Sequence, residues 1–408
     1  MQKTYTDRIF ELAKLSKQVI AVPFALSFRY CNNNCKFCYL QPNMRKIPLS
    51  LDECRQLKDN FINWLRDNAH RFESDVSFLV ELIGGELFIM NKDYYQLYYD
   101  TIKEAKEITD KYNIIFHTDM ISNFLLSKEH LYDFLELYKK ISDLGLEIDI
   151  ATSFDLWGRF KNDTAVDTWI TNLEEVSYNI KKPITIEVIL SKPSLEEYLN
   201  NPDSRLSVIL DGLLSMPDDF NIVFNDYVPN KEENIQYVPS NELIVEFYKK
   251  LVDKYYGKIP ALDFLLYKDL SKDEYRPCAY KEECCGPAFG LESTKFDTKL
   301  DLEEYGIYKL YCAEIGLVAP WANGQYKERK DLYRVDMPED EWICYKYPER
   351  VQYYFDNILG CGRCKYKERC HKSKRQGCYT THNFKWKEDK CWVKEIFKYV
   401  ENYNVLQQ

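Results

Sequence analysis

Residues 21–39 read Ala21-Val22-Pro23-Phe24-Ala25-Leu26-Ser27-Phe28-Arg29-Tyr30-Cys31-Asn32-Asn33-Asn34-Cys35-Lys36-Phe37-Cys38-Tyr39. An apolar, β-prone run leads into a tight loop that carries three cysteines at x3 and then x2 spacing. Three thiolates on one loop suit three irons of a [4Fe–4S] cluster and leave the fourth iron open to a substrate or cofactor. Zinc is the competing reading, and a structural zinc site takes four N or S ligands. The nearest histidine is His70 and the loop has no fourth cysteine, so zinc would need a distant ligand such as Cys54. An odd number of thiols argues against a disulfide loop.

From residue 19 to about 256 the chain alternates strand-like and helix-like segments. Short apolar runs near 20–30, 76–83, 112–118, 146–152, 184–190 and 221–228 read as buried parallel strands. Helical patterns lie between them, near 93–109, 128–144, 166–180 and 204–215. Another opens on Ser50-Leu51-Asp52-Glu53, a capping box with Ser50 as N-cap and Glu53 at N3, followed by Leu57, Phe61, Trp64 and Leu65 on one face. A further helix starts at Ser240. Six βα units in series predict an α/β fold, a partial (β/α)6 TIM-type barrel with right-handed crossovers. Active sites of α/β barrels sit at the C-terminal ends of the strands, where the cysteine loop follows the first strand. After about residue 257 the alternation fades. The expected domains are therefore the barrel over 1–256, a linker over 257–275, and a small Cys-rich α+β domain over 276–408.

Composition narrows the class. The chain has 408 residues, 14 cysteines and a net charge of −10. No apolar run approaches the ~18 residues of a membrane span. The start, Met1-Gln2-Lys3-Thr4-Tyr5-Thr6-Asp7-Arg8, lacks the apolar core of a signal peptide, so a cytoplasmic location is expected. Cysteine-rich cytoplasmic chains use thiols for metal more than for disulfides. The charge is uneven: residues 361–398 carry twelve Lys/Arg against Glu368, Glu388, Asp389 and Glu395. That basic stretch is either solvated surface or a docking face for an acidic partner. The acidic remainder argues against wide nucleic-acid contact and leaves a local patch open.

Other candidate positions follow the strands. Gly84-Gly85-Glu86 comes after the second strand, where glycines permit close backbone approach and unusual φ. Taken alone it reads as a strand-end turn. Ser122 and Asn123 follow the third strand, and Ser153 and Asp155 follow the fourth; each suits helix capping as well as ligand contact. His117 sits within an apolar strand and reads as a core or cleft histidine. Beyond residue 277 stand Cys278, Cys284, Cys285, Cys312 and Cys344, then Cys361-x2-Cys364-x5-Cys370, Cys378 and Cys391.

The x3–x2 cysteine loop, with Phe37 just before its last cysteine, resembles the radical SAM superfamily. That resemblance implies that Cys31, Cys35 and Cys38 hold a [4Fe–4S] cluster whose open iron chelates S-adenosylmethionine. It further implies that Gly84, Gly85 and Glu86 bind the methionine amino group, although Leu87 stands where the family often has proline. By the same resemblance Ser122, Asn123, Ser153 and Asp155 contact the carboxylate and ribose, and Phe37 and Tyr39 flank the adenine. The C-terminal cysteines resemble the SPASM domain of peptide- and protein-modifying members such as sulfatase maturases. On that pattern Cys278, Cys284, Cys312 and Cys378 hold one auxiliary [4Fe–4S] cluster, and Cys361, Cys364, Cys370 and Cys391 a second. Two departures stand: Cys370 to Cys378 is x7 where the family has x3, and Gly324 is followed at the expected cysteine place by Arg329. Cys285 or Cys344 could replace Cys312, and one auxiliary cluster beside a zinc site stays open.

The resemblance implies reductive cleavage of S-adenosylmethionine to a 5′-deoxyadenosyl radical, which takes a hydrogen atom from a peptide or protein side chain. An acidic flavodoxin or ferredoxin is the expected reductant. Two alternatives stay open: radical modification of a nucleic acid or small molecule, and a non-catalytic zinc or iron–sulfur module. The catalytic acid or base, the bond formed and the substrate are not legible.

Overall fold

A computed structural model describes residues 18–22, 30–38, 46–72, 77–82, 85–227, 232–265, 288–290, 363–366 and 391–406. Among the described residues seven strands run β1 (Gln18–Val22), β2 (Ser77–Leu82), β3 (Ile115–Ile121), β4 (Ile148–Phe154), β5 (Ile184–Leu190), β6 (Phe220–Asp226) and β7 (Ala288–Gly290). They form one sheet in the order β6-β5-β4-β3-β2-β1-β7. Pairing is parallel from β1 through β4 and between β1 and β7. The order is monotonic from β1 to β6, with no reversal of the kind that marks a doubly wound sheet. Each crossover therefore steps the same way, which is the winding of a barrel. The six apolar runs of the sequence correspond to β1–β6. β7 is a three-residue addition beside β1, too short to carry a pattern of its own.

Where their side chains are described, the strands from β3 to β6 are buried mainly on one face, not on both as their apolar character suggests. In β3, Phe116, Thr118 and Met120 are buried while Ile115 is 49% exposed and His117 is exposed. β4 alternates likewise. Crossover helices of a barrel cover only the outer face of the sheet, so alternate side chains point into the lumen.

Helices α1 (Leu51–Asn68), α2 (Lys92–Lys111), α3 (Lys128–Ser142), α4 (Asp163–Ile180), α5 (Lys192–Asn200), α6 (Arg205–Leu214) and α7 (Asn241–Tyr255) connect the strands. Each starts at a Ser or Asn whose side-chain oxygen accepts a backbone N–H of the first turn. The α1 capping box is complete: Glu53 N donates to Ser50 Oγ at 3.3 Å, and Ser50 N donates to Glu53 Oε2 at 2.7 Å. α8 (Trp392–Leu406) follows Cys391.

The chain divides into two compact units, each assembled from several stretches. The first takes residues 1–152, 160–185 and 282–313, and the second 153–159, 186–281 and 314–408. In the first, Phe78 stacks between Phe61 and Phe116 at ring distances of 6.0 and 6.1 Å, which fixes α1 on the β2–β3 pair. Each such fully buried ring contributes on the order of 1.5–3 kcal/mol through area removed from water. In the second, Tyr248 of α7 stacks on Trp392 of α8 at 5.1 Å, above a buried row of Val393, Ile396, Phe397 and Val400. Among the described residues no helix is long and apolar enough to cross a membrane.

Candidate active site

The cysteine loop is described over residues 30–38 and belongs to the first unit. A turn closes it, with Cys38 N donating to Cys35 O at 3.1 Å. Cys35 is buried, and Cys31, Cys38 and Phe37 are half-buried. All three cysteines stand as thiols and not in disulfides. Burial, with the nearby Glu86 carboxylate second, pushes the Cys31 thiol up to about 11. Cys31 is therefore protonated at neutral pH without a metal, and ligation would release that proton.

Glu86 ties this loop to the sheet. Its N–H donates to Tyr30 O at 2.9 Å, directly before Cys31. Its carboxylate is fully buried. It accepts the Asn123 N–H at 2.6 Å, the Ser122 hydroxyl at 3.2 Å and the Phe88 N–H at 3.2 Å. Thus the end of β2, the end of β3 and the root of the cysteine loop meet on one carboxylate. Gly85 has φ of 147°, a conformation open to glycine and strained for other residues, which is what turns the chain from β2 into Glu86.

The β3 end carries a second constraint. Phe124 has φ of 51° and is fully buried. A left-handed non-glycine residue costs on the order of 1–3 kcal/mol and persists only where surroundings over-determine it. Here Phe124 packs edge-on against Phe134 at 5.4 Å, and Asn172 Nδ2 of α4 donates to both Phe124 O and Leu126 O at 2.9 Å. That bend aims Asn123 at the cysteine loop. Asn123 Nδ2 donates to Asn32 Oδ1 at 2.7 Å and to Cys31 Sγ at 3.4 Å. Asn32 Nδ2 donates in turn to Leu125 O at 2.9 Å, and Lys161 Nζ donates to Asn32 O at 3.2 Å.

The structure thus brings Cys31, Cys35, Cys38, Glu86, Ser122 and Asn123 into one neighbourhood. Asn32, Asn33, Tyr30, Phe124 and Asn172 belong to it too and are not marked by the sequence. The repeated amides of Asn32 and Asn33 between ligand-spaced cysteines are the only sequence signal that could have found any of them. Ser153 and Asp155 belong to the second unit. The Asp155 carboxylate is buried and accepts the Ser191 hydroxyl at 3.3 Å, the Ser194 hydroxyl and the Gly158 N–H. Burial raises its pKa, and those hydrogen bonds oppose the rise. Ser153 Oγ accepts from the buried Arg159. Asp155 thus braces the first turn of α5 against the end of β4.

Of the C-terminal cysteines, Cys364 and Cys391 are described, and both lie in the second unit. Cys391 stands at the N-terminus of α8, where its Sγ accepts the Lys394 N–H at 3.5 Å. Burial raises its pKa, backbone hydrogen bonds from Lys394 and Val393 lower it, and the neighbouring Cys364 raises it. The Cys364 turn is anchored to α8 by Tyr366 Oη and Lys365 Nζ, which reach Glu401 Oε2 at 2.6 and 2.8 Å. Tyr39, Gly84, Cys278, Cys284, Cys312, Cys361, Cys370 and Cys378 lie outside the described residues, as do the basic residues from Lys367 to Arg375.

Among the described residues, no three Cys, His, Asp or Glu side chains converge on a single-ion site. The donor set at the loop is three sulfurs with amide N–H groups directed at two of them. A thiolate-ligated iron–sulfur cluster is held at separate corners and has sulfurs that accept hydrogen bonds, so this donor set fits one.

No protein-family profile matches the chain, and no curated protein matches it significantly in sequence. Solved structures do match in fold. Native anSMEcpe with bound AdoMet aligns at TM-score 0.53 and 15% identity, covering 96% of this chain and 98% of that one. A hexahistidine-tagged form of anSMEcpe, also with bound AdoMet, aligns at TM-score 0.55 and 14% identity, covering 95% and 98%.

This chain has the fold of anSMEcpe. The alignment spans nearly the whole of both chains. At this identity the likeness is in the fold.

Proposed function

We propose that this chain is a radical SAM enzyme that acts on a peptide or protein side chain. The observation that carries the reading is the seating of Cys31, Cys35 and Cys38 at the strand ends by Glu86 and Asn123, within a fold shared with AdoMet-bound anSMEcpe. The bound cluster and S-adenosylmethionine would supply one electron and a scissile S–C5′ bond, giving methionine and a 5′-deoxyadenosyl radical that takes a substrate hydrogen atom. The three thiolates would hold three irons and leave one open. Gly84, Gly85, Ser122 and Asn123 stand for the amino-acid end of the cofactor, with Phe37 and Tyr39 for its adenine. The Glu86 carboxylate, engaged by three protein donors, acts by holding these segments in place. Asp155 acts in the same way on the β4 end.

The peptide or protein substrate rests on the SPASM-like cysteine spacing and on anSMEcpe being an anaerobic sulfatase-maturating enzyme. One or two auxiliary clusters would take up the second electron of an oxidation or crosslink. Cys364 and Cys391, which lie near each other, would be two of their ligands. An acidic flavodoxin or ferredoxin in an oxygen-poor cytoplasm would serve as donor. Lys365 is paired with Glu401, so the other cations of 361–398 would carry its steering.

Anaerobic reconstitution followed by iron and sulfide analysis with Mössbauer spectroscopy tests this reading. The expected result is more than four irons per chain and release of 5′-deoxyadenosine on adding dithionite. The Cys31→Ala, Cys35→Ala, Cys38→Ala triple variant should keep auxiliary-cluster absorbance and release none. Zinc with little iron in the wild type, or normal release from the triple variant, overturns it.

A further inference from the structure

Three hydrogen bonds are donated to sulfur at the cysteine loop. Asn33 Nδ2 donates to Cys35 Sγ at 3.2 Å, Asn33 N to Cys31 Sγ at 3.4 Å, and Asn123 Nδ2 to Cys31 Sγ at 3.4 Å. The two side-chain amides are held with their NH2 ends toward sulfur. Asn33 Oδ1 accepts the Asn34 N–H at 3.0 Å, and Asn123 Oδ1 accepts the Leu125 N–H at 2.7 Å. With each carbonyl end occupied by a backbone donor, the amide cannot flip without losing two bonds. Asn33 is only 6% exposed, so its bond to Cys35 is shielded from water that would weaken it.

Ligating sulfurs gain negative charge when an iron–sulfur cluster takes an electron. N–H groups aimed at them stabilise the reduced form and raise its potential, whereas a nearby buried carboxylate lowers it. Both influences are present here, because Asn123 donates its backbone N–H to Glu86 and its side-chain N–H to Cys31.

We propose that Asn33 and Asn123 set the reduction potential of the cluster held by Cys31, Cys35 and Cys38, offsetting the buried charge of Glu86 so that a protein donor can reduce it. This rests on the proposed function. Asn33 acts as a tuning residue, through its bond to the Cys35 sulfur. Serving Cys35, it is separable from Asn123, which also stands near the cofactor.

The test is a redox titration monitored by electron paramagnetic resonance, following the signal that the triple cysteine variant lacks. At a fixed solution potential, Asn33→Leu should lower the ratio of reduced to oxidised cluster about tenfold, or about 59 mV for a one-electron couple. Asn33→Asp, which keeps the carbonyl oxygen and adds charge, should lower it further. Unchanged ratios in both variants, with iron content and 5′-deoxyadenosine release intact, overturn this inference and leave the proposed function standing. Should the variants not assemble the cluster, wild-type protein labelled with 15N-asparagine decides. Hyperfine coupling between the reduced cluster and side-chain amide nitrogen supports the inference, and its absence overturns it. A wild-type protein without iron overturns both.

Discussion

At the scale of single residues, the structure adds most at Glu86. Its position after β2 suggests a cofactor ligand, but its buried carboxylate already accepts from Phe88, Ser122 and Asn123. Removing it strands three donors in a site closed to water. Glu86→Ala should therefore lower the stability of the first unit by about 3 kcal/mol, read as an earlier thermal transition. Glu86→Gln keeps one acceptor oxygen and should lose less. A carboxylate that only binds cofactor would give the opposite pattern, with weakened S-adenosylmethionine binding and an unchanged transition. The asparagines between the cysteines carry no distinct signal in the sequence, because an amide has no spacing rule. What it donates to depends on neighbours brought in by the β3 bend at Phe124.

At the scale of elements, Asp211 joins three helices of the second unit. From α6 it accepts Tyr198 Oη of α5 at 2.7 Å, and from α7 it accepts Lys254 Nζ at 2.7 Å and Tyr255 Oη at 2.8 Å. Burial pushes its pKa up, but the hydrogen bonds from Lys254, Tyr198 and Tyr255 outweigh that and leave it lowered. A depressed folded pKa adds stability that is fully present above the unfolded carboxylate range, about 3.9, and is lost as pH falls through the folded value. Asp211→Asn should cost about 2 kcal/mol at pH 7. Its urea midpoint, followed by tryptophan fluorescence, should converge on that of the wild type as pH drops below about 4. A constant gap across pH would mean that the charge contributes nothing. Helix starts were legible in advance at Ser50 and Ser240, since capping is local chemistry readable from a few consecutive residues. α5 and α8 were not, because one begins Lys192-Pro193 directly after a strand and the other opens on a cysteine that reads first as a ligand.

At the scale of the whole molecule, the two units are interleaved along the chain. The face of α7 that buries Tyr248 is completed by Trp392, Ile396, Phe397 and Val400 of α8, more than a hundred residues later. Tyr399 Oη adds a 2.6 Å hydrogen bond to Asp253 of α7. A chain ending at Tyr256 would expose that apolar face. It should be recovered as aggregate, or bind a hydrophobic dye that the full chain does not, even though all six leading strands are present. Restoring residues 391–408 as a separate peptide should reduce the dye signal.

The order of strands and helices and the cysteine loop are legible in the sequence. Strand period, helix period, caps and thiol spacing are all encoded within stretches of a few to twenty residues. Tertiary contacts alone set which donors each buried carboxylate accepts, which amides face sulfur, and where α8 packs on α7. Each depends on contacts between residues tens to hundreds of positions apart, such as Glu86 with Asn123, Asn172 with Phe124, and Tyr248 with Trp392. Such contacts exist once the sheet has brought strand ends together and burial has removed water as the competing partner.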